Sequence, residues 1–393
     1  MEKEPHRRHI YLDNAATTRP LPEVILTMGQ VMYDTFANPS SAHHDGHEAK
    51  AMVERARREI AQTLGAHHSQ IIFTSGGTES DNTVLQGVRA AGIRRILSCR
   101  AEHHAVTSTL QAIEQDNARF TPGNRVEIMY VGLDREGRLS LPELESLLAA
   151  SDAPTLVSLM HANNETGNLH DIRAIGELCH RYSALYHTDA VQTAGRVPID
   201  LSTLPVDFLS ASAHKFHGPK GVGFLYIKQT GSLPAFLHGG QQERGMRSGT
   251  ENVAGIAGMA CALRICAERA EEDATYVLGL KERLVRGLEA AVPDIRFNGL
   301  CREKEGCLPG IVNVTLPVRK DPSIVLLALD MEGVEVSAGS ACMAGVPEPS
   351  AVLGAMYKDG DDMIGCPSVR ISIGRFNTPE EIDAAVDALR KIS

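Results

Sequence analysis

Between residues 70 and 227 the chain alternates short apolar runs with longer mixed stretches. No other feature constrains the fold as much. Strand-like runs fall at 70–74, 94–98, 126–131, 155–160, 184–187, 207–210 and 223–227. Helical stretches fall between them at 78–89, 106–115, 142–149 and 172–181. Strands separated by helices build βαβ units and a mainly parallel sheet. The run 155–160, TLVSLM, is apolar almost throughout, as a strand buried on both faces must be.

After Gly249 the pattern changes. Residues 251–292 form one long helical region, followed by a strand at 310–315, a helix at 322–331, a strand at 369–373 and a helix at 379–391. This reads as a second, α+β domain, and 393 residues suffice for two. With 43% hydrophobic and 22% charged residues the chain is globular. Its net charge of −10 argues against a basic nucleic-acid binder.

Eight cysteines and 16 histidines raise the question of a metal. Cys99, Cys179, Cys261, Cys266, Cys301, Cys307, Cys342 and Cys366 contain no C-x-x-C pair, so zinc and iron–sulfur spacings are missing. His43 and His47 would share a helix face, but no H-E-x-x-H accompanies them, and a polar helix entry is the preferred explanation. No metal is expected. Residues 1–8 lack an apolar signal core, and no run of about 18 apolar residues exists. A cytoplasmic protein with free thiols is expected.

Three short segments carry chemistry. Thr74-Ser75-Gly76-Gly77-Thr78-Glu79 lies between a strand and a helix, where small residues and a helix N-terminus can cradle an anion. Asp189 follows a strand and faces the crevice where open α/β sheets bind ligands. Lys215 follows the next strand, beside His214, where desolvation favours a nucleophilic amine. Each has an ordinary explanation: a turn, a helix cap, a surface lysine. Together, anion cradle, acid and amine suit pyridoxal phosphate (PLP).

The chain resembles the class V aminotransferase superfamily, and within it the NifS/IscS-type cysteine desulfurases. The resemblance runs from YLDNAATT at 11–18 through NPSS at 38–41, FTSGGTESDN at 73–82, Glu102-His103 and MHANNETG at 160–167. It continues through HTDA at 187–190, His214-Lys215, RGMRSGT at 244–250, SAGSAC at 337–342 and RISIGR at 370–375. It implies fold type I of PLP-dependent transferases. A large α/β domain (16–262) would hold a mainly parallel mixed sheet flanked by helices. A smaller α+β domain (1–15 and 263–393) would carry the catalytic cysteine loop.

The resemblance also implies roles. Lys215 would bind the cofactor aldehyde, Asp189 its ring nitrogen and Gln192 its phenolic oxygen. Gly77, Thr78, Ser212 and His214 would bind the phosphate, with Thr250 supplied by the partner of a homodimer. His103 would stack on the ring and move protons. Arg370 would clamp the substrate carboxylate, with Asn164 contacting carboxylate or ring and Asn38 the carboxylate. Cys342 would take the sulfur of L-cysteine as a persulfide and pass it to an acceptor, either an iron–sulfur scaffold or a thiolation protein. Neither a membrane nor a nucleic acid is an expected partner.

Met343-Ala344 replaces the usual hydroxyl residues after the cysteine, Ala213 replaces a common glycine, and 115–124 is longer than usual. The end soon after Arg390 lacks the tail that helps dock a scaffold in some members. Selenocysteine lyase, a plain transaminase and a non-catalytic scaffold are the competing readings.

Overall fold

The computed structural model describes residues 9–117, 125–338, 350–357, 361 and 365–393. In chain order the first half contains β1 (Ile10–Tyr11), α1 (Pro22–Asp34), α2 (His44–Thr63), β2 (Ile71–Thr74), α3 (Gly77–Ala90), β3 (Arg95–Ser98) and α4 (His104–Asp116). There follow β4 (Glu127–Tyr130), α5 (Leu141–Ala149), β5 (Thr155–Ser158), α6 (Ile172–Arg181), β6 (Leu185–Asp189), β7 (Phe208–Ser212) and β8 (Gly223–Ile227). The remainder is α7 (Val253–Glu268), α8 (Ala270–Ala291), β9 (Arg296–Phe297), β10 (Ile311–Thr315), α9 (Pro322–Met331), β11 (Val334–Glu335), α10 (Ala351–Met356), β12 (Ser368–Ser372) and α11 (Pro379–Ile392).

Seven strands form the main sheet in the order β2-β8-β7-β6-β5-β3-β4. From β7 to β4 neighbours are parallel, and β8 runs antiparallel to both β7 and β2. Alternate side chains serve opposite faces, as a pleated strand requires. Leu97, Val157 and Leu209 join one core with α1, α2, α6 and α7, whereas Ile96, Leu156 and Phe208 join another under α3 and α4. β3, β5, β7 and β8 are buried along their whole length, while the edge strand β4 stays partly exposed.

A separate core gathers α8, α9 and α11 around the antiparallel sheet β12-β10-β9. β1 joins this core by pairing in parallel with β11. Its last helix starts on a capping box, Thr378 with Glu381, and Pro379 sits in the first turn. Among the described residues no helix is long and apolar enough to cross a membrane.

Two expectations need correction. The helical region 251–292 is two helices, because Arg269 leaves the helical conformation between α7 and α8. No Gly or Pro marks that break. The strand over 155–160 ends at Ser158, and its last residues turn into the site. His43 caps α2, its ring accepting the Gly46 N–H at 3.2 Å, as a polar helix entry should.

Candidate active site

β2, β3, β5, β6 and β7 end on one edge of the sheet. Segments leaving these ends line a cavity of about 530 Å³. Gly77, Thr78, His103, Asn164, Asp189, Gln192, Ser212, His214, Lys215 and Arg370 all line it. Asn38 and Thr250 do not; both are exposed, and Asn38 accepts the Ser40 N–H at 2.9 Å. Cys342 lies outside the described residues.

One pole of the cavity suits an anion. Gly76 precedes α3 with φ 152°, and no side chain caps that helix start. The first-turn N–H groups therefore lack a side-chain cap, with the helix dipole behind them. A Cβ on Gly77 would lie 2.5 Å from Cγ2 of Val191, so only glycine lets the backbone come this close.

The middle of the cavity is acidic. Asp189 ends β6, is buried, and accepts the Val191 N–H at 2.8 Å. Burial, then the nearby Asp81 carboxylate, pushes it up to about 7. Burial likewise raises Asp81 to about 7. Glu102 is raised by burial too; its Oε1 accepts the Met160 N–H at 2.8 Å, and its buried Oε2 has no partner. A buried acidic group of this kind suits a cation. A protonated ring nitrogen is one.

Lys215 sits in a short turn after β7. Its Nζ donates to the carbonyls of Ala15 and Ala16 at 2.6 and 2.9 Å. Gln192 Nε2 donates to the same Ala15 carbonyl at 2.9 Å, and its buried Oε1 has no partner. The YLDNAATT segment thus reaches the site from the second core. Sequence reasoning quoted it without assigning it this task. Arg196 donates to the Lys215 carbonyl at 2.7 Å, fixing the turn from behind.

His103 caps α4, its Nδ1 accepting the Ala105 N–H at 3.1 Å. That contact leaves the ring proton on Nε2. Burial, then the positive charge of Lys215, brings His103 down to about 4, so it is neutral at physiological pH. His214 falls to about 4 for the same two reasons in the same order.

Arg370 is 3% exposed. Its terminal nitrogens donate to Asp13 Oδ1 at 2.9 Å and to the Asn164 carbonyl at 3.0 Å, and its Nε has no partner. Its backbone pairs with Ser337 through two hydrogen bonds. Next to Asn164, Glu165 accepts through its Oε2 from Ser350 at 2.5 Å, and Ser350 caps α10. Ser337 and Ser350 flank the segment that contains Cys342, and both are anchored at this cavity.

An anion cradle, a buried acid pair, an amine, a neutral histidine and a guanidinium thus share one cavity. The class-V aminotransferase family model matches residues 10–385. The chain belongs to that family. Class-V relatives include a cysteine desulfurase IscS of Dictyoglomus turgidum, 39% identical over 98% of this chain and 95% of the relative. A solved NifS-like protein superposes with a TM-score of 0.87 at 36% identity, covering 98% of this chain and 99% of that one. SspA, solved in complex with cysteine, gives a TM-score of 0.78 at 28% identity over 94% of this chain and 99% of its own.

Proposed function

We propose that this class-V chain is a PLP-dependent cysteine desulfurase. It converts L-cysteine to L-alanine and takes the sulfur onto Cys342 as a persulfide. The anchoring of both described flanks of the Cys342 segment, at Arg370 and at Glu165, carries this proposal. A transaminase has no need of a thiol in the stretch of sequence between those flanks. The names of the relatives support it.

The residues fit the cofactor: Gly77 leaves room for a close anion, and the buried acids await a cation. Gly77, Thr78, Ser212 and His214 would hold the phosphate, together with Thr250 of the partner subunit in a homodimer. Asp189 would hold the ring nitrogen, Gln192 the phenolic oxygen and Lys215 the aldehyde carbon. When bound, PLP supplies an electron sink that labilises the bonds around the substrate α-carbon.

Arg370 and Asn164 orient the substrate carboxylate, the guanidinium by a two-point contact. Asn38 joins them. The Lys215 amine would take the Cα proton. His103, neutral, relays a proton at its Nε2. Cys342 thiolate attacks the substrate sulfur, the carbon–sulfur bond breaks with its electron pair left on Cβ, that carbon takes a proton, and alanine leaves. An acceptor thiolate then attacks the persulfide and removes the outer sulfur.

The acceptor is a thiol-bearing protein of iron–sulfur assembly or of thiolation chemistry. A reducing cytoplasm suits a thiol that must return to thiolate. The larger unit binds the cofactor, and the smaller one carries the Cys342 segment. Alanine and sulfide are assayed with cysteine for the wild type and Cys342→Ala. The variant is expected to bind cysteine, seen as a change in cofactor absorbance, and to release no sulfide. Undiminished sulfide would remove Cys342 from the reaction. A rate with selenocysteine that survives Cys342→Ala, beside a negligible rate with cysteine, would favour a selenocysteine lyase.

A further inference from the structure

Away from the active-site cavity, α8 places a lysine inside the second core. Lys281 is 1% exposed, and its Nζ donates to the Glu303 carbonyl at 2.7 Å and meets Sγ of Cys307 at 2.9 Å. No ion pair to a carboxylate is found for Lys281 among the described residues. Two acids of the same helix pair with the loop instead: Glu282 with Lys304, and Glu289 with Arg302. A buried amine is costly unless its charge is matched or absent. Cys307 is the one acidic side chain recorded in contact with it. Cys307 Sγ also donates to the Glu303 carbonyl at 3.3 Å, so the sulfur and the nitrogen meet on one backbone oxygen.

We propose that Lys281 and Cys307 form an oxidative modification site, at which hydrogen peroxide joins Nζ to Sγ covalently. Peroxide first oxidises the Cys307 sulfur: the thiolate attacks one peroxide oxygen, the O–O bond breaks, and a sulfenic acid and one water result. The Lys281 amine then attacks that sulfur. The S–O bond breaks, a second water leaves with a proton from nitrogen, and an S–N bond remains. One peroxide is consumed, one thiol is oxidised by two electrons, and two waters form. Sulfenic acids condense with backbone nitrogen in the same way. Here a side-chain amine already lies at van der Waals distance or closer, so no rearrangement is needed.

Access is short. Residues 302–306 are all exposed and form the loop that ends at Cys307. Arg302 and Lys304 pin that loop onto α8. Its far end is stitched to the large unit: Leu169 N–H donates to the Gly306 carbonyl, and Leu308 N–H to that of Gly167. The bond would therefore fasten α8 to a loop that also grips the segment carrying Asn164.

Cys301 supplies an internal control. It is fully buried in the same core, its Sγ meets the Asn313 carbonyl, and burial raises it to about 11. The full-length holoprotein is treated with hydrogen peroxide, digested without reductant, and mapped by mass spectrometry. The peptides bearing Lys281 and Cys307 are expected to be joined, two hydrogens lighter than their sum, and to separate on thiol treatment. Cys301 is expected to remain a thiol. Lys281→Met should abolish the joined species and let Cys307 accumulate as sulfinic acid. Wild-type protein in which Cys307 stays a free thiol, or becomes sulfinic acid with Lys281 unmodified, would overturn the proposal. That readout needs no variant to fold.

Discussion

Replacing Gly77 with alanine tests the anion cradle with one methyl group. Gly77 opens α3, where alanine ordinarily gains about 1 kcal/mol of helix propensity. Here the new Cβ would stand 2.5 Å from Cγ2 of Val191, against about 3.5–4.0 Å for a comfortable carbon contact. Val191 cannot easily yield. Its β-branched side chain has few rotamers, and its N–H is held by Asp189. Overpacking of this kind costs about 1–3 kcal/mol. Net of the helix gain, the cofactor-free protein should lose about 0–2 kcal/mol of stability.

The strain falls on both ends of the proposed cofactor site, since Gly77 would serve the phosphate and Val191 adjoins Asp189. Any part of the strain that the cofactor-free protein relieves and binding re-imposes lowers PLP affinity, with about 5- to 150-fold as the ceiling. Titration of cofactor-free protein with PLP, followed by visible absorbance, measures this. Val191→Ala in the same chain deletes the offending methyl and should restore most of the affinity. Wild-type affinity in Gly77→Ala, or no recovery in the double variant, would refute the steric account.

Asp81, raised to about 7 by burial, keeps a proton in the fold that the unfolded chain has lost. Its stabilising contribution is present below about pH 4 and lost as pH rises through 7. Asp81→Asn should therefore gain on wild type above pH 7 in urea denaturation of the cofactor-free protein, with the gain shrinking toward pH 4; a constant difference would contradict it. His103, His187 and His214, each brought down to about 4 mainly by burial, act oppositely. The unfolded chain protonates them first, so their contribution is lost as pH falls from about 6.5 to 4, and a urea midpoint insensitive to His103→Gln across that window would exclude the term. Glu243 meets Arg57 through two contacts of 2.7 and 2.8 Å, both side chains being nearly inaccessible. Glu243→Ala leaves Arg57 only the partly exposed Glu54 and the Ile71 carbonyl, orphans the Phe73 N–H, and should cost about 3 kcal/mol by chemical denaturation, whereas a loss below 1 kcal/mol would show that water reaches Arg57.

The sheet was legible because its strands are buried on both faces and so are written as apolar runs. β8 emerges at the very residues expected, 223–227. α1 was not expected. Ile25, Leu26, Met32 and Tyr33 are exposed on it, so its outer face carries no polar stripe to reveal a helical period. The break at Arg269 was invisible because no breaking residue marks it. In the site, Gly77, Asp189 and Lys215 could be found because each lies at the end of a strand or within three residues of it. The Ala15 and Ala16 carbonyls could not, since they hold Lys215 across about 200 residues of chain. Asp13 escaped for the same reason, meeting Arg370 across 357 residues. Asp81 and Glu102 lay within quoted motifs, yet only burial discloses their unusual protonation.

The placement of β8 between β7 and β2 has a consequence for how the chain is made. β2 leaves the ribosome early, but its strand neighbour follows roughly 150 residues later, and the Glu243 carboxylate that receives the Phe73 N–H comes 170 residues later. Until then Ile71–Thr74 is an apolar strand with no partner on which to pair, the kind of edge that invites association with other chains. The cradle at Gly76 and Gly77 hangs from that strand. The anion site should therefore be among the last parts to form during synthesis, and cofactor capture should report completion of the whole sheet.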